Sequence, residues 1–226
     1  MKRSTGKARG TGRVREEKAP YGTEQAGVVV LDYKLLGTGE FWMQSLVKKA
    51  ALVSEALKKA QIPHAIIGGL AVASHVANVD EAAVRNTKDV DMLLRESDAE
   101  RAAAVLKVEG FKYRKVLGIP IFALKGGSFR DAVHIVWADQ RVKPNDLHPA
   151  PALDDTLVSS KQGFFCLALP SLLQMKLTSF RLKDKVHIQD MLEVGLINAK
   201  VRKSLPVDLR ARLKEVEDET ERERLG

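Results

Sequence analysis

Between residues 64 and 94 two short, mostly apolar runs, "HAIIGG" and "KDVDMLL", flank the segment "LAVASHVA" that the pair Gly68-Gly69 opens. Runs of four or five apolar residues are too short for ordinary helices and suit buried strands, whereas "LAVASHVA" after a glycine pair suits a helix. Strand, tight turn, helix and strand within about thirty residues commit the chain to a sheet with helices packed on it. The second run carries an oddity, because Asp89 and Asp91 stand two apart in a segment that otherwise reads as buried. Side chains at i and i+2 of a strand share a face. Two carboxylates held side by side repel unless a cation lies between them, and oxygen donors of this kind suit Mg²⁺ or Mn²⁺ carrying substrate phosphates. The glycine pair fits the same chemistry: backbone without side chains lets N–H groups approach a phosphate, and a helix N-terminus favours the negative charge.

The rest of the chain supplies further elements. Phe41, Leu46, Val47, Ala50, Val53 and Leu57 follow helical spacing, and Pro63 closes that helix. "SDAE" at Ser97 to Glu100 reads as a capping box opening "AERAAAVLKVEG", with Gly110 as its stop. "FKYRKVL", "IPIFALKG" and "AVHIVWA" read as strands, the last two joined through Gly126-Gly127. A proline-rich crossing segment follows, in which "LVSSKQGFFCLAL" adds a strand. From Pro170-Ser171 the chain turns helical, dividing after Arg181 and ending in a polar, charge-laced helix that frays. The expected organisation is a basic disordered tail (1–22), a sheet domain (23–140), a linker and crossing segment (141–169) and a C-terminal helical region (170–226).

Charge narrows the partners. The 226-residue chain carries a formal +8. Its first twenty residues hold seven Lys or Arg against two Glu, so the tail accounts for +5 and all the rest for +3. Such a tail can touch RNA through phosphate attraction, or simply be solvated. With 45% hydrophobic residues the chain can bury a core, and no apolar run reaches the length that spans a bilayer. No signal peptide is expected, and Cys166, alone and among apolar neighbours, reads as a packed thiol, so the protein is expected to be cytoplasmic.

Gly68-Gly69 in a strand-to-helix turn, then Arg85-x-Thr87-x-Asp89-x-Asp91, resembles the nucleotidyltransferase superfamily, nearest to bacterial toxin-like nucleotidyltransferases of the AbiEii type and their relatives. "MKLTSFRLKDKVHIQDM" is similar to the helix that follows the catalytic domain there, with Lys176, Arg181, Lys185 and Asp190 at matching positions. The resemblance spans residues 62 to 197. It implies an α+β fold: a nucleotidyltransferase-like mixed sheet flanked by helices, followed by a small helical region. It implies metal-dependent transfer of a nucleoside monophosphate from an NTP such as ATP to a hydroxyl acceptor, releasing pyrophosphate. Asp89 and Asp91 would hold Mg²⁺ or Mn²⁺. Gly68, Gly69, Arg85 and Thr87 would bind the nucleotide, with Lys176, Arg181 and Lys185 balancing its charge. A toxin–antitoxin or defence setting, with an antitoxin protein as partner, belongs to the same resemblance.

One departure stands out. The superfamily supplies a third carboxylate from a later strand, and here "AVHIVW" puts His134 at that position. Asp131 lies three residues earlier, on the other side of a regular strand, and Asp139 just past the strand end. His134 could ligate a metal, act as a base, or belong to a site that has lost its chemistry. The alternative function is therefore a catalytically silent nucleotide-binding or protein-interaction module. His187 and Asp190 are neighbours on a helix, and structural roles are expected of both.

Overall fold

The computed structural model describes residues 39–153 and 157–225, with side chains from residue 43 onward. The expected basic tail and the segment "AGVVVLDYKLLG" lie outside those residues. The first half runs α1 (Gly39–Lys59), β1 (His64–Ile67), α2 (Gly68–Ala77), β2 (Val90–Leu94), α3 (Ala99–Val108), β3 (Phe111–Val116), β4 (Ile119–Leu124) and β5 (Val133–Trp137). After a crossing segment come β6 (Leu157–Ser159), β7 (Phe165–Leu167), α4 (Leu169–Ser179), α5 (Leu182–Glu193), α6 (Ala199–Ser204) and α7 (Val207–Leu225).

The strands form one mixed seven-stranded sheet in the order β3-β4-β5-β2-β1-β7-β6, so the fold is α+β as the sequence implies. β1 runs antiparallel to β2 but parallel to β7, and β2 runs parallel to β5. All four residues of β1 are buried, which explains the apolar run Ala65–Ile67 at the sheet centre, while the ring of buried His64 is satisfied by Ser54 and the Ile62 carbonyl. β3 and β4 make a hairpin through Leu117 and Gly118, whose φ values of +51° and +82° meet the need of a two-residue turn for left-handed backbone at both positions.

Register decides which side chains meet. Arg114 opposes Ile121, Ile121 opposes His134, His134 opposes Asp91, and Asp91 opposes Ile67. Directly opposed residues point to one face, so these five form a row across five strands. The other face carries Tyr113, Phe122, Val133 and Val90 in the neighbouring row. α1 packs through Leu46, Ala50, Val53 and Leu57, all buried at the spacing the sequence shows.

Three local readings need correction. No capping box forms at Ser97: a 3-10 turn over Glu96–Asp98 precedes α3, and the Asp98 carboxylate accepts from Arg101 at 3.0 Å instead. "LVSSKQGFFCLAL" forms a hairpin of two strands, β6 and β7, rather than one. The last helix is not a fraying one along its length, because Leu209, Leu213, Val216 and Thr220 form a buried seam at spacings of three and four. No helix among the described residues is long and apolar enough to cross a membrane.

Candidate active site

Asp89 and Asp91 both line a cleft of about 500 Å³ over the sheet face that carries His134. Its floor is β2 and β5, and one side is built by α4 and α5 through Lys176, Arg181 and Lys183. Gly68 closes the bottom. It has φ +70°, and a Cβ there would run into the Asp91 carboxylate, so both its conformation and the close approach require glycine. The first turn of α2 has no side-chain cap and no acidic residue, which leaves its N–H groups to other acceptors.

His134 sits across from Asp91. Its Nε2 lies 3.0 Å from the Phe129 carbonyl, which can only accept, so Nε2 carries the proton. Nδ1 then faces Asp91 Oδ1 at 3.6 Å. In a neutral imidazole that is a lone pair pointed at a carboxylate, and only a proton or a metal cation between them makes the contact favourable. The Asp91 carboxylate accordingly raises the His134 pKa above its ordinary value. This donor set fits a divalent cation: two carboxylates and one nitrogen, with a glycine where a side chain would intrude. Among the described residues no three His, Cys, Asp or Glu side chains converge closely enough to form a ready-made metal cage. Asp131 and Asp139 do not line the cleft. The Asp131 carbonyl takes Lys49 Nζ at 2.6 Å, and Asp139 turns with φ +61°.

The cationic wall is organised by a carboxylate absent from the candidates named above. Asp184 is fully buried and accepts from Lys176 Nζ (3.0 Å), Ser179 Oγ (2.6 Å) and Arg181 Nε (2.7 Å). Burial opposes its ionisation, but the Arg181, Lys176 and Ser179 contacts outweigh that and hold its pKa well below the usual carboxylate range. Burial lowers the pKa of Lys176, against the pull of Asp184 and Asp91. Asp184 is also the third residue of α5, and with Arg181 it forms the cap of that helix. The bend ahead of it is made by Phe180 at φ +45°, a left-handed conformation unusual for an aromatic residue, between Lys185 and Arg212, which lie 4.9 Å and 5.0 Å from its ring centroid. Lys183, also not foreseen, reaches Asp89 Oδ2 at 3.4 Å. Buried Lys49 of α1 is held to a pKa of about 8, by desolvation first, with Asp131 and Asp89 pulling it up.

The cleft thus gathers Gly68, Asp89, Asp91, His134, Lys176 and Arg181, and its lining does not include Gly69, Arg85, Thr87 or Lys185. Gly69 makes room for neighbours instead: a Cβ on it would lie 2.5 Å from Thr87 Oγ1 and 3.4 Å from His187 Cε1. Thr87 is buried against that glycine. Arg85 makes a forked bond to Asp190, tying the loop before β2 to α5 (Nη2 to Oδ1 2.9 Å, Nε to Oδ2 3.1 Å). Lys185 points to Glu215 and Glu219 of α7. Asp184 had a readable signal, since it stands three after Arg181, at the third position of the helix that opens there. Lys49 had one too, because it stands three after Leu46 and four before Val53, on the apolar side of α1.

No protein-family model matches the sequence, and no curated protein matches it. Among solved structures the chain is similar to the antibiotic-resistance factor ANT(2'')-Ia in solution, with 13% identity, 83% of this chain and 98% of that one covered, and a TM-score of 0.48. A crystal structure of ANT(2'')-Ia with adenylyl-2''-tobramycin gives 14% identity, coverage of 75% and 97%, and a TM-score of 0.47. An antigenic nucleotidyltransferase-like protein from Paracoccidioides brasiliensis gives 20%, 76% and 93%, and 0.46.

Proposed function

We propose that the protein is a divalent-metal-dependent nucleotidyltransferase, moving a nucleoside monophosphate from an NTP to a hydroxyl acceptor. The observation that carries this reading is the pairing of Asp91 with His134 across β2 and β5, beside Asp89 and over a glycine that no side chain can replace. Asp89, Asp91 and His134 Nδ1 would hold Mg²⁺ or Mn²⁺, which supplies positive charge to the triphosphate when bound. Lys183 and Arg181 face the same space and would take the negative charge of the departing pyrophosphate, with Lys176 and Asp184 holding Arg181 in place. The open first turn of α2 would donate N–H groups to phosphate oxygens.

In the transfer, the acceptor oxygen bonds to the α-phosphorus while the bond from that phosphorus to the pyrophosphate oxygen breaks. The hydroxyl proton passes to Asp89, whose carboxylate lies 3.4 Å from Lys183 Nζ at the edge of the cleft. Arg85, Thr87 and Gly69 would act from behind, fixing the loop that carries Asp89 and leads into β2 and Asp91. Lys185 would fix the α5–α7 contact. A toxin–antitoxin setting rests on the sequence resemblance alone.

A second reading is favoured by one feature, the imidazole where a third carboxylate belongs: a silent nucleotide-binding module. Incubation with each α-³²P-labelled NTP, Mg²⁺ and total RNA or cell lysate separates the two. Transfer reads as label in a macromolecular or small-molecule product, lost in Asp89→Asn/Asp91→Asn. Binding of NTP without any labelled product supports the silent module.

A further inference from the structure

The β3–β4 hairpin and the turn after it were not used by the site, yet they lead into it. From Phe111 to Arg130 the chain holds Lys112, Arg114, Lys115, Lys125 and Arg130 and no Asp or Glu. All five side chains are exposed, and no carboxylate among the described residues pairs with any of them. This differs from the helical side, where Lys185, Arg202 and Lys214 are each matched to an acid.

The register gives the basic residues a direction. Arg114 stands in the row Arg114–Ile121–His134–Asp91, three strand spacings of about 4.8 Å each from Asp91, or roughly 14 Å. Lys112, two residues along β3, shares its face. Between them and the carboxylates lies Phe129, exposed at the cleft mouth, with its ring centroid 4.6 Å from that of His134. Arg130 follows it directly. Unpaired cations spaced along a sheet face, then an exposed aromatic ring, then the metal-type site is the arrangement that suits a phosphate chain with stackable bases. The cleft beyond is too narrow, at about 500 Å³, to admit a duplex.

We infer that the β3–β4 hairpin is a docking track for single-stranded nucleic acid, with Lys112, Arg114 and Arg130 on phosphates and Phe129 stacked on a base. Its terminal hydroxyl then lies toward Asp91, so the track names the acceptor class for the transfer reading, on which that last step rests. Pro120 and Phe129 line the cleft itself, which suits a strand of nucleic acid running inward, and vesicles serve as the control for a lipid surface meeting the exposed Leu117 at the hairpin tip.

The test uses the full chain and a fluorescein-labelled single-stranded RNA 20-mer, followed by anisotropy across a salt series. The wild type binds with an affinity that falls as salt rises. Lys112→Ala/Arg114→Ala/Arg130→Ala binds at least tenfold more weakly at low salt, and its log–log salt slope is shallower by about 2, at ~0.7 per lost phosphate contact. Phe129→Ala weakens binding without changing the slope. Lys200→Ala/Lys203→Ala, on α6, leaves binding unchanged. Wild-type affinity in the triple variant overturns the track and assigns binding elsewhere, such as the basic tail. Tighter binding to a blunt duplex or to anionic phosphatidylserine vesicles also overturns it. NTP binding is measured on the same samples by equilibrium dialysis with Mg²⁺. NTP bound without RNA sinks the track alone, whereas RNA bound through the hairpin without NTP sinks the transfer reading and leaves the track standing.

Discussion

Replacing Asp184 by Asn keeps its shape and removes its charge. In the folded protein that carboxylate is fully buried, with Lys176 at 4% exposure, and it answers a lysine, an arginine, a serine hydroxyl and a backbone N–H. The amide can accept from some of these donors but leaves the Lys176 ammonium buried without a counter-charge. Breaking one side of a buried pair costs about 3–5 kcal/mol, and Asp184→Asn is expected to fall in that range. Removing the cation as well relieves the fault, so Asp184→Asn/Lys176→Met is expected to be about 2 kcal/mol more stable than Asp184→Asn alone, a coupling of the size contacting residues show. The sign with pH follows from the lowered Lys176 pKa. The unfolded chain holds that proton more tightly than the folded one, so the stability of the Asp184→Asn variant rises as pH increases from 7 toward 10. Urea unfolding followed by far-UV circular dichroism measures all three proteins, provided the m-value is constant. A loss below about 1 kcal/mol for Asp184→Asn, or no recovery in the double variant, refutes the view that Asp184 anchors the cationic wall.

Gly69→Val is expected to destabilise the protein by roughly 1–3 kcal/mol, because its Cβ meets Thr87 Oγ1 at 2.5 Å in a packed interior. Unchanged thermal stability with weakened NTP binding would instead place the glycine at the phosphates. His187 is buried, its Nδ1 has no hydrogen-bond partner, and burial together with Lys176 depresses its pKa from 6.5 to about 4. The neutral ring's contribution is complete above pH 6.5 and is lost as pH falls toward 4, where the unfolded chain takes the proton first, amounting to at most about 3 kcal/mol. His187→Phe is expected to flatten that part of the stability–pH profile, and an unchanged slope counts against it.

The sequence carried the sheet's centre well because local pattern and tertiary role agree there. "HAII" is apolar after its histidine and proves to be buried on both faces, while Asp91 and His134, some forty residues apart, meet because β2 and β5 pair in register. That pairing could be anticipated only through the resemblance, since no local signal says which strands adjoin. The cationic wall was less legible. The resemblance assigns Arg85 and Lys185 to the nucleotide, and only the folded chain shows that Asp190 and the α7 glutamates engage them. Phe180 hides the bend that aims Arg181 and Lys183, because an aromatic residue is no helix stop and takes its left-handed backbone only where Arg212 and Lys185 flank it. Lys49 was hidden by its charge, although its position on α1 is that of a core residue. The β3–β4 hairpin could be read as strands, but the alignment of Arg114 with Asp91 is a property of the register.

The most direct trial of the central claim is a crystal structure with Mn²⁺ and a non-hydrolysable NTP, read by manganese anomalous scattering. The account predicts one strong peak bound by Asp89, Asp91 and His134 Nδ1 at about 2.1–2.3 Å, with the triphosphate between it and Arg181 and Lys183. A nucleotide seated elsewhere, or a cleft in which His134 Nδ1 still faces Asp91 with no manganese between them, contradicts it.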